Sequence, residues 1–379
     1  MHFHRSAFGR RRAAAVLATL AIFLAAQPAH ASVSATSDST PRVNGPVYAI
    51  AQVGDLTVIG GEFTMVGGKA RQNVAAIRTD GTLDPTFNPG ADGIVRALAG
   101  SVDGTTVYLG GRFDNAGGAP RANVAAVDAV TGAAVASWQA DTTGASPGVS
   151  ALAVHDTRLY VGGTFSGIDG TVRASFVALT DEGDVISTFR PRANAGLKAI
   201  RVSPDGSTVY AGGQFSKLGG LDRPWGVGAV SAVNGDATEF NPVEGSDRAI
   251  TVGLSPDGSR FYFSTPDNRL FSYDTAGTGS VVWVRKTSGD TQAIYPSATG
   301  EVYIGGHFSQ IVTYKIKRTF LASLWASDGT VTPWTPDPAG GTMGVWVITP
   351  TPGSLSVGGT FTTVNGVERV RFARFSGTP

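Results

Sequence analysis

The chain has 379 residues, including 51 glycines and 20 prolines, with no cysteine and a formal charge of +1. Glycine and proline make up 71 of the 379 residues, about 19% against a usual ~12%. With 42% hydrophobic and only 16% charged residues, a disordered chain and a helical bundle are excluded in favour of an all-β protein of many short strands. The lack of cysteine excludes a disulfide framework, thiolate metal sites and a cysteine nucleophile.

Arg5 and Arg10 to Arg12 precede an apolar run, Ala13 to Ala26, and Ala29-His30-Ala31 follows with small residues at the two positions a signal peptidase reads. This is the layout of a secretory signal peptide, residues 1–31. The run has 14 residues, short of the ~20 that a membrane span needs. Cleavage after Ala31 leaves a single domain, 32–379, of 348 residues and net charge −3. That charge argues against nucleic acid as a partner, and no membrane insertion is expected after cleavage. Only His155 and His307 remain in that domain, too few for a multi-histidine zinc site, so no metal or cofactor is expected.

A repeat of about fifty residues then runs to the end of the chain. The segments VIGGEF (58–63), YLGGRF (108–113), YVGGTF (160–165), YAGGQF (210–215), YIGGHF (303–308) and SVGGTF (356–361) are spaced by 50, 52, 50, 93 and 53 residues. The long gap holds a seventh copy, FYFST (261–265), with Ser264-Thr265 in place of the glycine pair. Each unit reads as four strands. An alternating run such as VRALAG (95–100) leads through an SPDG-type hairpin to the strand bearing the glycine pair. A loop with further glycines precedes a third strand such as VAAIRT (74–79), and a fourth ends in Phe87, Trp138, Phe189, Phe240 or Trp334.

Four strands at this period predict a seven-bladed β-propeller of four-stranded antiparallel blades. The last unit stops after its third strand, RFARFSG (371–377), and the segment before Val47 resembles the end of a fourth strand. The N- and C-terminal strands are therefore expected to share the last blade and close the ring, which removes an exposed sheet edge.

The stretch DGTLDPTFNPGADGIVRALAGSVDGTTVYLGGRF (80–113) resembles the delta-60 repeat of secreted bacterial β-propeller proteins, and the likeness extends over roughly 45–377. The glycine pair also resembles that of kelch repeats, although the kelch tyrosine-to-tryptophan spacing is not reproduced. The resemblance implies the fold and carries no general activity with it.

An arginine recurs at the end of each long loop: Arg71, Arg121, Arg173, Arg223, Arg318 and Arg369. These six are the candidate binding residues. On one face of a propeller they form a ring of cations suited to carboxylates; alternatively, each holds its own loop by bonding backbone carbonyls. The glycine pairs and the phenylalanines that follow them read as packing residues. The fifth unit lacks the long loop and its arginine, which predicts a low point in the rim. Of the acids, Glu62, Asp114, Asp169 and Glu368 could meet on one face, but nothing singles them out. No Gly-x-Ser-x-Gly elbow, Walker loop, HExxH or EF-hand loop occurs.

No catalytic residue stands out. The expected function is that of a secreted, non-catalytic, monomeric extracellular module that binds or scaffolds a protein or polysaccharide. The alternative is a polysaccharide lyase or glycoside hydrolase with its site at the central channel mouth.

Overall fold

A computed structural model describes residues 1–2, 33–244 and 248–379. Cα proximity divides the chain into Met1–His30 and Ala31–Pro379. Apart from its first two residues, the expected signal peptide lies outside the described residues. The architecture set out here is that of the second unit.

Seven antiparallel sheets of long strands follow one another in chain order among the described residues. The first comprises Val47–Val53, Leu56–Gly61 and Val74–Ile77; the second, Ile94–Gly100, Thr106–Arg112 and Val124–Asp128. The third comprises Gly148–His155, Arg158–Thr164 and Phe176–Thr180; the fourth, Leu197–Val202, Thr208–Gly213 and Val227–Ser231. The fifth has four strands, Thr251–Leu254, Arg260–Ser264, Arg269–Asp274 and Val281–Lys286. The sixth comprises Thr291–Pro296, Glu301–Gly306 and Leu321–Trp325; the seventh, Val345–Thr351, Ser354–Gly359 and Phe372–Ser376. The first strand of each sheet packs against the first strands of its neighbours, and that of the first sheet packs against that of the seventh.

Among the described residues, only the fifth sheet has a full fourth strand. In five others the fourth segment shrinks to a single bridge, at Leu83, Ala134, Val185, Ala237 or Val331. The recurring arginine accounts for this. Its Nη2 donates to carbonyls of the fourth segment (Asp84 at 2.9 Å for Arg71, Val135 at 3.1 Å for Arg121, Thr238 at 2.9 Å for Arg223). The chain then turns inward to bury Phe87, Trp138, Phe189, Phe240 or Trp334. The fifth sheet lacks the arginine, and there the ladder runs on through Val281–Lys286. The buried aromatic of that fourth strand is Trp283, which the repeat pattern does not single out.

The glycine pairs let backbone approach backbone. A Cβ on the second glycine would meet a carbonyl of its own sheet: Pro46 O at 2.0 Å from Gly61, Ile94 O at 2.0 Å from Gly111, Asp290 O at 2.0 Å from Gly306. A Cβ on the first would meet the next sheet: Val95 at 2.7 Å from Gly60, Val149 at 2.5 Å from Gly110, Val47 at 2.5 Å from Gly358. Ser264, which replaces the first glycine, instead donates Oγ to the Thr291 carbonyl of the following sheet at 2.6 Å. The phenylalanines after the pairs lie in cores shared by two sheets. Phe113 joins Val58 and Val74 of the first sheet, and Phe361 joins Tyr303 and Leu321 of the sixth.

The N-terminal segment lies along the last strand of the seventh sheet. Ser34 N–H donates to the Ser376 carbonyl and Asp38 N–H to the Arg374 carbonyl, both at 2.7 Å. The Asp38 carboxylate accepts from Ser376 Oγ at 2.8 Å and from Arg374 Nε at 3.4 Å. Trp334 Nε1 donates to the Ser34 carbonyl at 3.0 Å. Arg369 Nη2 donates to Ser37 O at 3.3 Å, so residues 34–38 occupy the place that the fourth segment holds in other sheets.

Candidate binding channel

Each of the six predicted arginines is buried or half-buried against its own loop, and each points its guanidinium at backbone. Nη1 donates to the preceding residue's carbonyl in all six, at 2.7–2.9 Å. Nη2 donates across the loop: for Arg173 to Ser187 O at 3.3 Å and for Arg318 to Thr332 O at 3.1 Å. The structure does not bring these six side chains together. None of them lines the central cavity.

That cavity, of about 610 Å³, is walled by the first strands of all seven sheets. In six sheets the pairing of the first strand with the second shifts by one residue, between Val47/Ala49, Val95/Ala97, Val149/Ala151, Leu197/Ala199, Thr291/Ala293 and Val345/Val347. Such a bulge leaves one residue out of the ladder and re-aims its side chain. The bulged residues are Tyr48, Arg96, Ser150, Lys198, Gln292 and Trp346, and all of them line the cavity. Ile250, just before the fifth sheet, and its neighbour Thr251 do so as well.

The lining includes Arg96, Arg112, Lys198 and Arg201 and, among the described residues, no aspartate or glutamate. The Arg96 guanidinium lies 4.2 Å from the Tyr48 ring centroid, and Tyr48 meets Trp346 edge-to-face at 5.4 Å. Crowding by protein atoms, and then Arg96, Arg112 and Arg248, lower the Lys198 ammonium below its ordinary value although the side chain stays open to solvent. Partial burial and the Glu62 carboxylate beside it raise the Tyr48 phenol, against the pull of Arg96. The arrangement is a concave, cationic and aromatic site of a size usual for small-ligand pockets.

Repeat alignment carries a signal for these residues. In the first strands a β-branched or aliphatic residue precedes, and mostly an alanine follows, one position that changes from unit to unit, as in VYA, VRA, VSA and LKA. Of the acids noted in the sequence, Glu62, Asp114, Asp169 and Glu368 are absent from the lining; Glu368 pairs with Arg42 at 2.8 Å. A second groove, of about 640 Å³, is lined by hairpin-turn residues of the second and third sheets, among them Asp103, Asp156, Asp181 and Glu182. Burial, followed by the charges of Asp181, Asp103 and Glu182, pushes the Tyr108 phenol up to about 12. Among the described residues, no three His, Asp or Glu side chains form a metal-binding group.

Sheets that succeed one another around a channel walled by their first strands define an all-β propeller. Two stretches, 57–87 and 353–377, match a family model described as a domain of unknown function (DUF5122) beta-propeller. No curated protein sequence matches the chain. Among solved structures, the chain is similar to the WD40 beta propeller domain of Doa1, with 12% identity and a TM-score of 0.62 over 91% of this chain and 97% of that one. It is also similar to the computationally designed Ika8 protein, with 12% identity and a TM-score of 0.56 over 92% and 98%. These likenesses establish the propeller fold and no more.

Proposed function

We propose that the protein is a secreted, non-catalytic module that binds an extracellular polysaccharide or protein through the channel. Its frame is a seven-bladed propeller of the delta-60 type, closed by residues 34–38 as the outer strand of the last blade. The carrying observation is the lining: four cations and two aromatics converge there, and no aspartate or glutamate is among the described lining residues. Glycoside hydrolysis by the usual pair of carboxylates, about 5–10 Å apart, finds no such pair among the described lining residues. The six recurring arginines serve the blades in this reading, since their terminal nitrogens are already paired with backbone.

One observation favours a lyase as the second reading. Lys198 is a lysine with a lowered pKa among arginines, a pattern that suits a general base. Its free amine would take the C5 proton of a uronate whose carboxylate is held by Arg96. The C4–O4 bond breaks as the C4–C5 double bond forms, and the leaving oxygen takes a proton from solvent.

The test is a binding screen of the purified protein against cell-wall and plant polysaccharides, with reducing ends and unsaturated products assayed in the same wells. Retention without product is the expected result. Product formation on any substrate overturns the non-catalytic reading. Silence on every polysaccharide overturns the polysaccharide ligand in favour of a protein.

A further inference from the structure

We infer that the channel takes the acidic end of a uronate-containing oligosaccharide, a proposal that rests on the binding function above and narrows its ligand. Three features of the lining select this chemistry. First, charge: Arg96, Arg112 and Lys198 face one cavity whose described lining residues include no acid, Glu62 standing beside Tyr48 outside that lining, and a planar guanidinium is matched to a carboxylate by paired N–H donors. In a protein with a formal charge of only +1, four cations in one lining are a local concentration and not a reflection of composition. The cations also crowd one another, adding to burial in lowering Lys198, and a bound anion relieves that repulsion.

Second, the aromatic pair. Trp346 is half-buried and fixed edge-to-face on Tyr48, whose own face is covered by Arg96. A rigid, amphipathic ring next to a cation offers an apolar surface to the C–H face of a pyranose while the charge holds its substituent. Third, the uncharged polar residues. Ser150 and Thr164 line the same cavity, and Gln292 lines it with its amide nitrogen donating to the Met343 and Val345 carbonyls at 3.2 Å. Held in that way, Gln292 keeps its amide oxygen as an acceptor for ligand hydroxyls. A peptide or a bare anion uses the cations but has no polyhydroxylated ring to match the rest.

The placement points the same way. Tyr48, Arg96, Ser150, Lys198, Gln292 and Trp346 stand at one structural position in six sheets. Their flanking residues repeat and they do not. If the position served only the fold, the repeat would hold it as it holds the glycine pairs. Six different side chains at equivalent positions around one cavity describe an asymmetric ligand.

The experiment is isothermal titration of the purified protein with trigalacturonate, triglucuronate, maltotriose, hexaglutamate and inorganic phosphate. At least one uronate trimer is expected to bind, more weakly as salt rises. Maltotriose, hexaglutamate and phosphate should bind about tenfold more weakly or not at all. Arg96→Ala and Lys198→Ala should each weaken uronate binding about tenfold or more with no loss of melting temperature. Arg42→Ala, which removes a surface cation outside the channel, should leave it alone. Failure of both uronate trimers to bind, or affinity indifferent to Arg96→Ala and Lys198→Ala, overturns the uronate proposal. Equal binding of phosphate reduces the site to a plain anion site, and preference for hexaglutamate makes the ligand an acidic peptide; either result also overturns the proposal. If the uronates fail while another polysaccharide is retained in the screen, the binding function survives. Turnover of a bound uronate defeats the non-catalytic reading and leaves the ligand class standing.

Discussion

Gly110 and Gly111 are adjacent in one strand and answer to different neighbours. Gly110 makes room for the Val149 side chain of the next sheet, whereas Gly111 makes room for the Ile94 carbonyl of its own. A side chain can shift and a paired backbone carbonyl cannot. Gly110→Ala should therefore cost about 1–3 kcal/mol, typical of overpacking, and Gly111→Ala distinctly more, measured by denaturant unfolding; equal costs would count against this division. In the channel, Lys198 is held below its ordinary value. The ammonium it offers an anion is thus lost at a lower pH than that of a surface lysine. Uronate affinity should fall as pH rises through that lowered value, and Lys198→Met should abolish that part of the pH profile. Stability moves the other way. Between the lowered value and the ordinary one the unfolded chain binds the extra proton, so folding strengthens as pH rises.

The hairpins are the most legible elements. In SVDG and SPDG, Ser101, Ser203 and Ser255 each donate Oγ to the aspartate two residues on, at 2.5 Å, while the following Thr105, Ser207 and Ser259 bond the same carboxylate. These bonds, first that from Ser203 and then those from Ser207, hold the Asp205 carboxyl down at about 2. A depressed carboxylate stabilises the fold above its ordinary value of 3.8, and that contribution is lost as pH falls toward 2. Asp205→Asn should lower the melting temperature at neutral pH, with the gap to the parent protein closing across that acid range. A gap that does not narrow would contradict the assignment. The fourth strands were less legible, because a run ending in aromatic-x-proline looks the same whether it continues a ladder or turns inward after one pair. Arg71 Nη2 on Asp84 O decides the matter, and no local pattern announces a contact across 13 residues. The channel residues were obscured for the opposite reason. Repeats draw the eye to what recurs, and Tyr48, Arg96 and Lys198 matter by differing.

At the scale of the whole molecule, the two ends of the unit meet. Ser34 and Asp38 pair with Ser376 and Arg374, Trp334 and Asn365 donate to carbonyls of Ser34 and Ala35, and Val47 packs where Gly358 lacks a side chain. Deleting residues 33–38 strips these bonds and exposes the edge strand Phe372–Ser376. The melting temperature should drop by about 5 °C or more, with a rise in aggregation from the open edge. An unchanged melting temperature would mean that the segment is dispensable and that the ring does not depend on it.

The central claim is a division of labour, in which recurring residues hold the blades and the variable channel positions hold the ligand. It is tested most directly by comparing Arg96→Ala and Arg121→Ala in one experiment, reading melting temperature together with retention on immobilised polygalacturonate below the melting point. Arg121 donates to Pro120 O at 2.7 Å and Val135 O at 3.1 Å from a buried position, so its loss should cost about 2–4 kcal/mol of stability and leave retention intact. Arg96→Ala should keep the melting temperature and lose retention. The reverse pattern, with Arg121 needed for retention and Arg96 for stability, would contradict the account.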